Sequence, residues 1–127
     1  MARVIFDLDG TIIGNVQGRH VIRKGMLEVI RSRREKGDTV ILWTFGNRAW
    51  WNQVMKMFPI LGLLFDEVYC REDINAHVTN GPRGREMVKD IRVLDGDVLI
   101  DNDPSHHEWA ARHGLAHRYV KVRTLGE

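Results

Sequence analysis

The chain has 127 residues, of which 28% are charged, with a net charge of +2 and a single cysteine. At this length a chain buries about two-thirds of the surface it exposes when unfolded, so residues 1–127 are expected to form one domain without disulfide or metal staples. The small positive excess is no signature of nucleic-acid or membrane binding, one cysteine rules out an internal disulfide, and no apolar stretch approaches the roughly eighteen residues of a membrane span.

Short apolar runs recur, each followed by polar turn residues and then a segment of helical period, which predicts repeated βα units. The first strand, Arg3 to Phe6, opens the chain without the charged, apolar and cleavage regions of an export signal, so a soluble cytoplasmic protein is expected. It runs into Asp7-Leu8-Asp9-Gly10-Thr11, after which the stretch to Lys24 has room for a turn and a small β-flap around Gly14-Asn15 and Gly18. Met26, Leu27 and Ile30, with the stems of Arg31 and Arg34, define a helix that stops at Gly37, a residue suited to a left-handed cap. Arg31, Arg33 and Arg34 are expected on its surface.

A second strand, Thr39 to Trp43, leads to Thr44 and Gly46, and a helix follows from Arg48 to Met57, ended by Pro59. Trp50 and Trp51 point about 100° apart around that helix, so one is expected in the core and the other partly exposed. After a third strand, Glu67 to Tyr69, Cys70 reads as a partly buried strand-end thiol. The interval from Cys70 to Val88 reads as a loop, in which Arg83 and Arg85 are either solvated or guides for an anionic substrate. Lys89 lies in a segment of no strong period. A fourth strand, Val98 to Ile100, delivers Asp101-Asn102-Asp103-Pro104; Pro104 starts a helix that continues to about His113, with Gly114 as its stop, and a last strand spans Ala116 to Val120.

Strands separated by helices are parallel with right-handed crossovers, so their C-terminal ends share one edge. The expected fold is therefore α/β: a three-layer, Rossmann-like parallel sheet of about five strands with helices on both faces. Asp7, Asp9, Thr44, Asp101, Asn102 and Asp103 then converge, and Lys89 can reach them from its loop. Such an acidic cluster needs a cation, and hard oxygen ligands favour Mg²⁺, which leaves coordination positions for phosphate oxygens. Asp7 would attack phosphorus to give an aspartyl-phosphate, and Asp9 would protonate the departing alcohol and then activate water. Thr44 and Lys89 would hold the non-bridging oxygens.

Competing chemistries lack their residues. Adjacent His106 and His107 diverge on a helix and have no partner at zinc spacing; six positions after Cys70 stands Ala76 where a cysteine phosphatase needs Arg; and no phosphate-binding GxxxxGK[ST] segment occurs.

In this order, Asp7-Leu8-Asp9-Gly10-Thr11, Thr44, Lys89 and Asp101-Asn102-Asp103-Pro104 resemble the four motifs of the haloacid dehalogenase-type (HAD) phosphohydrolases. Ile22-Arg23-Lys24-Gly25-Met26, Ile41-Leu42-Trp43-Thr44, Tyr69-Cys70-Arg71-Glu72-Asp73 and Val88-Lys89-Asp90-Ile91 extend the likeness to the capless branch of small C-terminal-domain phosphatases and NLI-interacting-factor-like proteins. The resemblance implies a HAD-type fold with no cap domain, Asp7 as nucleophile and metal ligand, and Asp9 as acid/base whose backbone carbonyl also meets Mg²⁺. It implies Asn102 as a direct metal ligand, with Asp101 supporting Lys89 or the metal's waters. The branch commonly has Glu at the position of Gly10 and Ser at that of Asp103, which leaves the ligand choice open among Asp101, Asn102 and Asp103. Thr11, Thr44, Gly46, Lys89, Arg83 and Arg85 are the expected substrate-binding residues.

An uncapped site admits a phosphate carried on a protein, a nucleic-acid end or a metabolite, in a monomer or small homo-oligomer. A phosphoprotein-type phosphomonoesterase is the first expectation, and a nucleic-acid 3′-phosphatase or metabolite phosphatase the alternative. A receiver domain of a phosphorelay shares Asp, Thr and Lys, but takes phosphate on an Asp after its third strand; here the late acidic cluster follows the fourth strand and no Asp sits in the expected middle place.

Overall fold

In the computed structural model, which describes residues 1–74, 77–81 (backbone only) and 84–126, the alternation of side chains along each strand sorts two cores onto the two faces of one sheet. Five parallel strands stand in the order β5-β4-β1-β8-β9: β1 Arg3–Phe6, β4 Thr39–Trp43, β5 Glu67–Tyr69, β8 Val98–Asp101 and β9 Tyr119–Lys121. Val4, Phe6, Val40 and Leu42 face α1 (Met26–Glu35), α2 (Arg48–Met57) and the short α3 (Leu61–Leu64), packing on Met26, Ile30, Trp51, Val54 and Leu61. Ile5, Ile41, Trp43 and Leu99 face the opposite way, onto Trp109 and Ala110 of α4 (Pro104–Arg112). This is the expected three-layer α/β arrangement, with both faces covered as parallel sheets require. No helix among the described residues is long and apolar enough to cross a membrane.

The flap is an antiparallel hairpin of β2 (Ile13–Val16) and β3 (Arg19–Ile22), whose turn uses positive φ at Gln17 and Gly18. Between β5 and Lys89, where a loop was expected, β6 (His77–Gly81) pairs with β7 (Gly84–Val88) as a second hairpin. Asn80 pairs with Arg85 and Gly81 with Gly84 there, so the segment is a hairpin rather than an open loop. The last strand also differs: residues Ala116–Arg118 form a 3₁₀ turn, because the chain leaving α4 at Gly114 must turn before joining the sheet at Tyr119. Cys70 is fully buried rather than partly so, since it packs in the core shared by Trp51 and Leu64. Arg34 reaches the Leu63 carbonyl and Asp66, and Arg33 reaches Asp38, so two of the three surface arginines of α1 tie it to neighbouring turns.

Beyond β9 the chain runs extended along the motif loop: Leu125 N–H donates to the Gly10 carbonyl at 2.8 Å. The Arg23 guanidinium binds the carbonyls of Gly10, Thr11 and Arg123, fastening flap, loop and this segment together. A β-carbon at Gly14 would lie 2.3 Å from the Leu125 carbonyl oxygen. Gly14→Ala is therefore expected to lift residues 122–125 from the flap, raising amide hydrogen exchange at Leu125 by about tenfold or more while β1 and β4 keep their protection.

Candidate active site

Parallel order brings the ends of β1, β4 and β8 together, and the first contact beyond β1 continues the ladder: Asp7 N–H donates to the Ile100 carbonyl at 3.0 Å. Next the chain coils back, with the Leu8 carbonyl accepting from Ile12 and Ile13. Gly10 takes φ +82°, and a β-carbon there would stand 2.4 Å from Asn102 Nδ2, so both conformation and contact favour glycine at this position.

Asp7 and Lys89 are both buried. Lys89 Nζ donates to Asp7 Oδ1 at 2.7 Å and to Asp101 Oδ2 at 2.9 Å, and lies 5.1 Å from the centre of the Phe45 ring. Burial alone would lower the Lys89 pKa, but Asp7 and Asp101 outweigh it and hold the ammonium above its ordinary value. Burial pushes Asp7 up to about 6 against the pull of Lys89, with Asp101 adding to the rise. The backbone of Lys89 is fixed as firmly as its head: its carbonyl accepts from Tyr119 O–H at 2.7 Å, and its N–H donates to His106 Nδ1 at 3.2 Å. Since Nδ1 accepts, neutral His106 carries its proton on Nε2. Burial holds its pKa down at about 4.

Thr44 is buried at the end of β4, and its hydroxyl oxygen accepts from Gly46 N–H at 2.9 Å. Asp9 stands exposed at the rim, its carboxyl accepting from the Trp50 indole N–H; partial burial of the carboxyl raises its pKa, and the indole bond opposes that rise. Asp103 caps α4 by accepting from Ser105 N–H and O–H. Burial pushes the Asp103 carboxyl up, but those bonds prevail and it lies below the usual range. A cavity of about 330 Å³ is bounded by Asp7, Asp9, Thr44, Lys89, Asn102 and His106, among others, with Gly46 and Asp101 also in its wall.

One side chain in that wall tests for a metal. The arm of the Asn102 amide that faces the motif loop lies 2.9 Å from Asp7 Oδ2, 3.0 Å from the Asp9 carbonyl oxygen and 3.1 Å from Thr11 Oγ1; the other arm lies 3.0 Å from Thr124 Oγ1. With its NH₂ inward, the amide donates to these oxygens. With its oxygen inward, the Asp7, Asp9 and Asn102 oxygens crowd together, an arrangement that a cation would compensate. Separations near 3.0 Å match the edge of an octahedron with metal–oxygen bonds of about 2.1 Å, as Mg²⁺ demands. Among the described residues no cluster of three or more His, Cys, Asp or Glu forms a metal site; a cation here would be held through an amide and a backbone carbonyl beside Asp7.

Two expected substrate contacts are placed elsewhere. Thr11 has no exposed surface and lines no part of the cavity; its hydroxyl donates toward Asp7 Oδ2 at 3.2 Å, so it supports the carboxylate. Arg85 is exposed on β7 and does not line the cavity, because the hairpin carries it away from the sheet edge; Arg83 lies outside the described residues. Trp51 is the core residue of its pair and Trp50 the half-exposed one. Sequence reasoning missed His106, Tyr119, Thr124 and the bond from Trp50 to Asp9. The only signal for any of them was the position of His106 two residues past Pro104, within the first turn of a helix that starts at the site.

A family model described as NLI interacting factor-like phosphatase matches residues 3–119. No curated protein matches closely enough to count as a relative. Among solved structures the chain is similar to one in a Pnkp1/Rnl/Hen1 RNA repair complex (19% identity, TM-score 0.67, 98% of this chain and 43% of that one). It is also similar to the fission yeast RNA polymerase II CTD phosphatase Fcp1 (19% identity, TM-score 0.63, 97% and 41%) and to a Thermotoga maritima protein assigned as a beta-phosphoglucomutase (12% identity, TM-score 0.70, 100% and 88%). At such identities the likeness shows a common HAD-type fold. The chain spans less than half the length of the first two.

The charge balance at Lys89 has a pH consequence. Because folding raises Asp7, the protein takes up a proton on folding from about pH 4 to about pH 6, and this group's contribution to stability falls as pH rises through that window. Removing the ammonium lifts Asp7 further and widens the window toward neutrality. Lys89→Met is expected to lose on the order of 3–5 kcal/mol at pH 7.5 and clearly less at pH 4.5, read from denaturant unfolding at both values.

Proposed function

Since the chain belongs to the NLI interacting factor-like phosphatase family, we propose that it is a Mg²⁺-dependent phosphomonoester hydrolase that works through an aspartyl-phosphate on Asp7. The observation that carries this reading is the buried Lys89 ammonium 2.7 Å from Asp7 in an open cavity that Thr44 and Asp9 also line. With its pKa near 6, Asp7 is mostly ionised at neutral pH and able to attack. A bond forms between an Asp7 oxygen and phosphorus as the ester P–O bond breaks, and the leaving oxygen takes its electron pair and the Asp9 proton. The Asp9 carboxylate then removes a proton from water; the hydroxide attacks phosphorus, the bond to Asp7 breaks, and inorganic phosphate leaves. Lys89 and Thr44 face the non-bridging oxygens, where charge spreads in the transition state.

Asp7, the Asp9 carbonyl and Asn102 would hold Mg²⁺, which when bound supplies positive charge against the phosphoryl oxygens. Asp101 then acts through Lys89 rather than as a direct ligand, because its Oδ2 is taken by the ammonium and its Oδ1 by Asp103 N–H at 2.8 Å.

The substrate class is read from access. The intervals in which other HAD enzymes carry caps hold one hairpin each among the described residues, so the cavity stays open enough for a phosphate on a bulky carrier, in the first place a phosphorylated protein side chain. Fcp1, which shares the fold, is described as a phosphatase of the RNA polymerase II CTD, which supports a protein substrate.

Phosphate release from a phosphoserine peptide, compared with a 3′-phosphorylated oligonucleotide and with p-nitrophenyl phosphate, tests the reading; release is expected with Mg²⁺ and not with chelator, and highest specificity is expected for the peptide. Asp7→Asn should abolish both turnover and acid-trapped label on the protein. Asp9→Asn should keep phosphate binding and lose about 10²- to 10⁴-fold in turnover. Wild-type rates in Asp7→Asn would refute the covalent route.

A further inference from the structure

The acid/base carboxylate is not left to rotate. Trp50 Nε1–H donates to both carboxylate oxygens of Asp9, at 3.0 and 3.2 Å, across 41 residues of sequence. Three local features aim that indole. Asn47 caps α2 by accepting from Trp50 N–H at 2.8 Å, which fixes where the helix begins. Trp51, buried edge-on against Phe65, fixes its rotation, and so turns the neighbouring residue toward the site. Gly46 leaves room for the ring: a β-carbon there would stand 2.9 Å from Trp50 Cδ1. On the open side the ring meets His20 of the flap at 5.3 Å between centres.

Resting on the assignment of Asp9 as the acid/base, we propose that Trp50 is a positioning residue that holds the Asp9 carboxyl at the angle from which it protonates the leaving oxygen. An indole N–H is a donor only. Shared between both oxygens of the carboxylate, it concentrates on the carbonyl oxygen once Asp9 is protonated, leaving the O–H on the oxygen turned to the cavity. As the ester P–O bond breaks and the bond to Asp7 forms, that proton passes to the departing oxygen and the indole again serves a full carboxylate. In formation of the phospho-enzyme the bond therefore matters only where the leaving group needs a proton, whereas it serves the later attack of water with any ester.

This separates positioning from a merely structural role. Phenyl phosphate and 2,4-dinitrophenyl phosphate are alike in ring and charge, but the dinitrophenolate departs without a proton. With Trp50→Phe, kcat/KM, which reports events through formation of the phospho-enzyme, is expected to fall on the order of 10- to 100-fold for phenyl phosphate and less than about threefold for 2,4-dinitrophenyl phosphate. KM for phenyl phosphate, whose first step limits turnover, should stay near the wild-type value. Equal losses on the two esters would overturn the proposal. Asp9→Asn run beside it keeps two failures apart: if that variant turns over phenyl phosphate normally, the acid/base assignment itself falls, whereas a crippled Asp9→Asn with an unbiased Trp50→Phe removes only the role of Trp50. A second readout needs neither turnover nor metal nor the Trp50 variant. The assigned indole N–H proton resonance of Trp50 should move upfield in Asp9→Ala, and an unmoved resonance would overturn the proposal even if Trp50→Phe failed to fold.

Discussion

A single ammonium group, sunk between two carboxylates, organises the site and part of the core around it. Lys89 is nearly inaccessible to solvent, as are Asp7 and Asp101, and none of the three charges would be tolerable in that place alone. Breaking such a group by removing one member leaves a buried uncompensated charge, so the three positions stand or fall together. The constraint spreads outward through the Lys89 backbone. Tyr119 of β9 donates to its carbonyl, His106 of α4 accepts from its amide, and the Phe45 ring covers its head, so the edge strand, the last helix and the turn after β4 are each positioned by one residue.

That arrangement explains which features were legible in the sequence. The strands Arg3–Phe6, Thr39–Trp43 and Glu67–Tyr69 are short apolar runs bounded by polar turns, and α2 is bracketed by Asn47 and Pro59; local chemistry sets such boundaries. The residues at strand ends were legible as a group because parallel topology leaves them one edge on which to meet. The β6–β7 hairpin was not, since turn residues alone do not distinguish a hairpin from a loop without knowledge of what the flanking residues pair with. Ala116–Arg118 differed for a related reason: Tyr119 and Val120 suit a strand, but the geometry of leaving α4 decides where pairing begins.

Side chains that serve the site through partners distant in sequence were harder still. His106 read as an unremarkable helical histidine, and its value lies in a backbone amide 17 residues away. Thr124 carries no motif at all, yet it meets Asn102 across 22 residues. Thr11 shows the opposite case, a motif position whose buried hydroxyl braces the Asp7 carboxylate. Motif spacing locates the reactive atoms; it says little about which neighbours aim them.

The order of these parts along the chain has a consequence for synthesis. Asp7 and Asp9 leave the ribosome first, whereas the ammonium that neutralises Asp7 is at 89, the amide that faces it at 102, and the segment whose Leu125 amide fastens the Gly10 turn comes after β9. The central strand β1 likewise waits for β8 to supply its second neighbour. A nascent chain therefore emerges with Asp7 bare, and the groups that neutralise and brace it follow only as residues 89 to 125 are translated.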